Sequence, residues 1–78
     1  MRVVIAKVDE VFFDGEAAVL ELPGAGGKLT VLPKHMPLIT TLQEGVIMLK
    51  EHKDSTPRSF PIHSGVAEIR SDGATVIL

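Results

Sequence analysis

The sequence predicts an all-β fold: a small two-sheet β-sandwich of about nine to ten short strands, in one domain that covers residues 1–78. Three observations support this prediction. The apolar residues come in short bursts with almost no helical period, the bursts are rich in β-branched residues, and Gly, Pro and Asp separate them. Strands of this length and spacing are typical of sandwiches and small barrels.

The first strands are predicted from the amino-terminal segments. Arg2–Val8 is rich in β-branched residues and ends at the polar pair Asp9-Glu10. The segment VFFDGE follows, and its Asp14-Gly15 pair predicts a tight turn that leads into the strand AAVLELP. A glycine-rich loop then leads to the strand KLTVLP.

The carboxy-terminal half continues in the same way, with strands predicted in LITTLQEG, GVIMLKEH, SFPIHSG, VAEIRS and ATVIL. Lys53–Arg58 is the most polar stretch and predicts an exposed hairpin loop, while Asp72-Gly73 predicts a turn before the last strand. Pro61 has no backbone N–H to donate, so its strand is predicted at a sheet edge.

Several predicted strands are apolar on both faces. In Val46–Leu49, for example, Val46 and Met48 point one way, while Ile47 and Leu49 point the other. This pattern predicts either closely packed sheets or an outer face that meets a partner.

Composition limits the function classes. With 78 residues, a net charge of -2, scattered basic residues and no Trp or Tyr, the chain is not a typical partner of nucleic acid or anionic lipid. There is no cysteine, so no disulfide or thiolate metal site can form. No apolar run is long enough to span a membrane and the first residues are charged, so a soluble cytoplasmic domain is the default expectation.

The glycine-rich loop raises the alternative of a phosphate-binding site. A phosphate loop requires G-x-x-x-x-G-K-[ST] followed by a helix, but Leu22 stands at the first glycine position and Leu29 follows Lys28. The dinucleotide pattern G-x-G-x-x-G fails at Leu29 as well. Glycines that let a loop bend between two strands are the favoured interpretation, so neither a cofactor nor a small-molecule substrate is predicted.

The histidines and the Ser64-Gly65 pair do not form a recognisable catalytic motif. His35, His52 and His63 lack metal-ligand spacing, and the residues around Ser64 do not match G-x-S-x-G. No catalytic residue and no metal site are predicted.

The central stretch LPGAGGKLTVLPKHMPLITTLQEGVI carries a recognisable pattern. It resembles the amino-terminal β-sandwich domain of the epsilon subunit of the rotary ATP synthase, which typically shows a glycine loop, a P-G-H-A-P-L turn and then T-x-L-x-P-G. The matching positions are Pro33, His35, Pro37 and Leu38 in the turn, Thr40, Leu42 and Gly45 after it, and Ser64, Gly65, Glu68 and Ile69 in a later S-G-G-x-x-E-V pattern.

The resemblance implies a non-catalytic rotor subunit of the central stalk, which joins the gamma subunit to the membrane c-ring in a complex that itself synthesises ATP. It implies a peripheral position at the cytoplasmic face of the inner (plasma) membrane, without nucleic acid. It also assigns residues: Gly27, Lys28 and Leu29 to the ring contact, His35 and Thr40 to the gamma contact, and Gly24, Pro33, Pro37 and Gly45 to structural turns.

The chain departs from the family pattern at several positions. Lys34 replaces the glycine before the histidine, Met36 the usual alanine, Thr30 a common glycine, and Val66 the second glycine of S-G-G. Lys28 stands where many family members have an acid. The family's carboxy-terminal helical hairpin has no counterpart in these residues, so a naturally short epsilon subunit and an excised domain both fit.

Two rival functions remain from the residues alone. A free-standing β-sandwich module could form homo-oligomers through apolar outer strands. A small enzyme could use His35 or His63, although the spacing of these histidines does not favour an enzyme.

Overall fold

The computed structural model describes all residues, 1–78, and contains nine β-strands and no helix, which confirms the predicted fold class. The strands are β1 (Arg2–Lys7), β2 (Glu10–Glu16), β3 (Val19–Gly24), β4 (Gly27–Val31), β5 (Leu38–Leu42), β6 (Gly45–Lys50), β7 (Arg58–Ile62), β8 (Gly65–Arg70) and β9 (Gly73–Ile77). Accordingly, no helix is available that could cross a membrane.

The strands form two layers that are joined at one corner. One layer has the order β2-β1-β9-β8-β5 and the other has the order β4-β3-β6-β7; only the β1–β9 pair is parallel. The pairing of Gly24 with Leu42 connects β3 to β5 and so links the layers. Two backbone hydrogen bonds flank this pair, from Gln43 to the Pro23 carbonyl (2.9 Å) and from Ala25 to the Thr41 carbonyl (3.0 Å).

The core lies between the two layers because alternate residues of each strand point inward. On β6, Ile47 and Leu49 are fully buried, whereas Val46 is about half exposed. The sequence pattern of this strand allowed either closely packed sheets or an outer face free to meet a partner. The structure has a free outer face on β6. The core cluster is Val3, Ile5, Phe13, Ala17, Leu20, Leu22, Val31, Leu42, Ile47, Leu49, Ile62, Ala67, Ile69, Ala74 and Val76.

The predicted edge position of Pro61 is confirmed, because β7 ends its layer and pairs only with β6. The predicted exposed loop is also present: residues 51–57 connect β6 to β7, and Arg58 already belongs to β7. The turn predicted at Asp72-Gly73 lies one residue earlier, at Ser71-Asp72, and Gly73 begins β9.

The turn predicted at Asp14-Gly15 is wrong, because both residues lie inside β2, where they pair with Val4 and Val3. The Asp14 carboxylate accepts a hydrogen bond from the Arg2 guanidinium on the neighbouring strand, so its partner is a side chain rather than a turn amide. The connection to the next strand lies at Ala17-Ala18 instead, between the end of β2 and the start of β3. An Asp-Gly pair therefore marks a turn only when neither residue has a cross-strand partner.

Candidate protein-interaction surfaces

The hairpin of β3 and β4 forms the first candidate surface, here called the glycine end (residues 24–29). Gly24 pairs with Gly27 across the hairpin, and Gly27 has a φ of 126°, which side chains rarely adopt. A Cβ on Gly24 would lie 2.9 Å from the Gly27 carbonyl oxygen. The glycines therefore serve the bend of the hairpin.

The charge at the glycine end is neutralised within the chain. The Lys28 ammonium lies 3.0 Å from the Glu21 carboxylate, one diagonal step away across the β3–β4 ladder. Leu29 turns the other way and packs, half-buried, against the core. Of the three residues that the resemblance assigns to the ring, Gly27 and Lys28 are exposed at the hairpin and Leu29 is not.

Gly45 belongs to the same end of the molecule. It begins β6 just after the corner between the layers, and a Cβ there would lie 2.9 Å from the Pro23 Cβ. The T-x-L-x-x-G segment thus carries the chain from one layer to the other, with Leu42 buried at the corner.

The connection between β4 and β5 forms the second candidate surface, here called the proline turn (residues 32–37). Pro33 and Pro37 are exposed and flank His35, which is half-buried. The His35 amide donates to the Leu32 carbonyl (3.2 Å), and a ring nitrogen, Nδ1, lies 2.7 Å from the Met36 carbonyl oxygen. The histidine thus binds its own turn.

Lys34 adopts the left-handed conformation in this turn, with a φ of 65°. This conformation costs a residue with a Cβ about 1–2 kcal/mol, which explains why a glycine suits the position in the pattern that the chain resembles. The Lys34 amide donates to the Ser71 carbonyl (3.2 Å), which ties the proline turn to the β8–β9 turn.

Exposed apolar side chains surround the proline turn and continue onto β5. Met36 is 79% exposed and Ile39 is 70% exposed, and Leu32 and Leu38 are partly exposed beside them. Thr40 is half-buried on the same strand, and its hydroxyl donates to the Thr41 carbonyl (3.1 Å). This surface has the apolar character of a protein contact site.

The edge of β5 is open along most of its length. Residues 38–40 pair only with β8, because the contact with β3 and its following residue is confined to Thr41 and Leu42. The edge strands β2, β4 and β7 each carry charged residues, which protect edges from unwanted pairing, whereas β5 (LITTL) carries none. Its uncharged edge strengthens the case for a partner on this side.

A third surface runs across the outer face of the five-stranded layer, here called the outer stripe. One row of cross-strand partners places Thr41, Val66, Ile77, Ala6 and Val11 side by side on β5, β8, β9, β1 and β2. Three of them, Val66, Ile77 and Val11, are about half exposed or more. The opposite end of the same face carries ion pairs of Arg2 and Arg70.

Two shallow cavities complete the surface. One of about 400 Å³ lies on the outer face of the four-stranded layer and is lined in part by Val46, Met48 and the Lys28–Glu21 pair. The other, of about 490 Å³, lies between the open edges of β2 and β7, beside Phe12 and Phe60. No group of three or more His, Asp or Glu side chains could hold a metal ion.

The structure sorts the residues singled out in the sequence into two groups. Gly24, Gly27, Lys28, Leu29 and Gly45 meet at the glycine end, while Pro33, His35 and Pro37 form the proline turn, with Thr40 on the strand that follows. The glycine end and the proline turn lie at opposite ends of β4, a separation of about 15 Å at the usual rise per residue. Thr40 lies between them, in the middle of β5, two residues before the Leu42 that pairs with Gly24.

The sequence interpretation missed the exposed apolar residues Met36, Ile39 and Val66 and the strained Lys34. Alternation along each strand assigns residues to two faces, but it does not say which face is outside. The outer stripe forms only because five strands pair in a particular register, so no short segment of the sequence indicates it.

The fold and these surfaces define the class of protein, a β-sandwich domain with exposed apolar surfaces suited to binding other proteins. The family model described as "ATP synthase, Delta/Epsilon chain, beta-sandwich domain" matches residues 1–78. The chain belongs to this family, which confirms the resemblance noted in its sequence.

Curated relatives agree with this assignment. An ATP synthase epsilon chain of Herminiimonas arsenicoxydans is 35% identical over 77 residues, which are 99% of this chain and 55% of the relative. An ATP synthase epsilon chain of Caulobacter vibrioides is 37% identical over 65 residues, which are 83% of this chain and 73% of the relative. The chain thus spans about half the length of the first of these relatives and a larger share of the second.

Solved structures share the fold. A chain in the mitochondrial ATP synthase of Euglena gracilis, a structure of OSCP, F1 and c-ring, matches 96% of this chain with a TM-score of 0.86 and 17% identity. A chain in the central stalk and c-ring of the Tetrahymena thermophila enzyme matches 99% with a TM-score of 0.78 and 15% identity. These matches cover 48% and 61% of those chains, and at such identities they show the fold alone.

Proposed function

We propose that this domain is a non-catalytic subunit of the rotor of an ATP synthase, in the central stalk between the gamma subunit and the c-ring. The observation that carries the proposal is the family match over all 78 residues, with relatives named ATP synthase epsilon chain. The complex as a whole would synthesise ATP, and the domain would be peripheral, at the cytoplasmic face of the inner (plasma) membrane.

The arrangement of the surfaces supports a bridging role. A subunit that passes torque between two partners needs two contact sites on one rigid body. The glycine end and the proline turn lie at opposite ends of β4, and both are held to the sandwich by backbone pairing. We assign the ring contact to Gly27, Lys28 and Leu29, and the gamma contact to His35 and Thr40.

The geometry refines both assignments. Leu29 is half-buried and packs against the core, so it would hold the hairpin in position while Gly27 and Lys28 touch the ring. His35 and Thr40 are also half-buried, so the exposed neighbours Met36 and Ile39 would supply most of the apolar area that gamma buries.

A titration with the gamma subunit of the same organism tests the proposal, followed by calorimetry at several temperatures and by size exclusion. We expect a one-to-one complex with a large negative heat-capacity change, because apolar side chains leave water on binding. A folded domain that ignores gamma would contradict the proposal, and a stable homo-oligomer in its place would favour a self-associating module.

The gamma assignment has its own test in Thr40→Arg. The bulky cation on β5 is expected to abolish or strongly weaken binding to gamma, while Thr30→Arg on exposed β4 serves as the matched control. Intact gamma binding by a folded Thr40→Arg chain would remove Thr40 from the contact.

A further inference from the structure

Lys34 is the only residue other than glycine with a positive φ. Strained backbone of this kind persists where the surrounding structure holds it in place, and it often marks a functional position. The chain has seven glycines and places none here, although glycine would remove the strain. A role for the lysine side chain would offset the cost of this strain.

The backbone of the turn is held without any help from the Lys34 side chain. The Lys34 amide donates to the Ser71 carbonyl and the next amide, of His35, donates to the Leu32 carbonyl, both at 3.2 Å. Pro33 precedes Lys34 and limits the conformations of the turn further. The ammonium group is thus presented to solvent from a rigid platform.

That ammonium group has no acidic partner within the chain. Arg2, Lys28, Arg58 and Arg70 each form an ion pair with a carboxylate, whereas Lys34 forms none, and neither do Lys7, Lys50 and Lys53. Lys34 differs from these three because it stands in a strained, rigidly held turn. Its exposed neighbours in the turn, Leu32 and Met36, are apolar. A partner that covers these two side chains would remove water from the lysine too, and a desolvated cation requires a carboxylate opposite it.

We propose that Lys34 is a specificity-determining residue whose ammonium pairs with a carboxylate on the gamma subunit, within a contact in which Leu32 and Met36 bury apolar surface. This inference rests on the proposed function and adds the chemistry of the partner: an acidic group on gamma, set in an apolar surface. Charge complementarity makes the pair select gamma chains that carry the acid.

The test measures stability and gamma binding in the same variants of the full chain. Because glycine relieves the left-handed strain, Lys34→Gly is expected to raise the thermal midpoint by about 4 °C. The same variant is expected to bind gamma roughly thirtyfold more weakly, mainly through faster dissociation, because it leaves the carboxylate of the partner desolvated and unpaired. A merely structural lysine would not give these opposite effects on stability and binding.

Three variants complete the design. Lys34→Asn, whose side chain tolerates the left-handed region, is expected to weaken binding as Lys34→Gly does. Lys34→Arg keeps the charge and should bind within about twofold of the unchanged chain. Lys53→Gly removes an equally unpaired charge from the exposed β6–β7 loop and should also bind within about twofold.

The outcomes separate the two proposals. If the unchanged chain binds gamma and Lys34→Gly binds as tightly, the lysine inference fails and the stalk function stands. If Lys53→Gly weakens binding as much as Lys34→Gly, gamma responds to the overall charge of the chain and not to one lysine, and the inference fails as well. A lower thermal midpoint for Lys34→Gly would show that Lys34 is not strained, and the lysine inference would lose its basis. An unchanged chain that does not bind gamma would overturn both proposals.

Discussion

The two ends of β4 solve the same problem, a reversal of the chain, in different ways. At the glycine end the missing side chains of Gly24 and Gly27 let the two backbones approach, and the one charge, on Lys28, is paired with Glu21. In the proline turn the reversal contains a lysine in a strained conformation, held by hydrogen bonds between backbone groups.

The difference teaches how a small domain can present two unlike surfaces. The glycine end is compact and its one charge is paired, so apart from the exposed Lys28 side chain it offers mainly backbone. The proline turn presents apolar side chains and an unpaired cation. The two ends of one five-residue strand therefore present surfaces of different chemistry.

The largest expected effect concerns the glycine end. Gly24→Ala should lower the free energy of unfolding by about 2–3 kcal/mol, because the new Cβ meets the Gly27 carbonyl and Gly24 also joins the two layers. Gly26→Ala is the matched control, since no atom lies within 4 Å of its added Cβ. Denaturant unfolding measures both, and equal stabilities would contradict a close approach at Gly24.

The next prediction concerns how firmly the two ends of β4 are anchored in the core. Val31, just before the proline turn, is fully buried, whereas Leu29 is only half-buried. Val31→Ala should cost about 2 kcal/mol of unfolding free energy and Leu29→Ala about 1 kcal/mol, although leucine loses the larger group. The reverse order in denaturant unfolding would show that the glycine end is the more firmly anchored one.

The smallest effect concerns the Lys28–Glu21 pair. Lys28→Ala should change the unfolding free energy by no more than about 0.5 kcal/mol, because the lysine is well exposed and solvent screens the pair. A double-mutant cycle with Glu21→Ala isolates the coupling, and added salt should weaken it. A coupling well above 1 kcal/mol would mean that the pair is a structural part of the hairpin.

Much of the fold could be predicted from local sequence. The short β-branched segments predicted the strands, and the missing N–H of Pro61 predicted an edge, since both follow from properties of single residues. The Asp14-Gly15 turn was wrong because a cross-strand partner, Arg2, decided the role of the aspartate. A local turn signal contains no information about such a partner.

The candidate surfaces were harder to predict. The family pattern pointed to His35 and Lys28, but the self-pairing of Lys28 with Glu21 depends on the hairpin register. The left-handed Lys34 could be suspected only from the glycine of the family pattern. The exposure of Ile39 and Val66 depends on which face of each strand meets the other layer, and only the assembled sandwich decides that.

The most direct measurement of the bridging role is site-specific cross-linking in the assembled ATP synthase. The chain contains no cysteine, so Gly26→Cys and Met36→Cys each introduce a single attachment point, one at each end of β4. With a short photoactivated cross-linker, Gly26→Cys is predicted to link to a c subunit and Met36→Cys to gamma. Cross-links from both positions to the same subunit, or with the partners exchanged, would contradict the account.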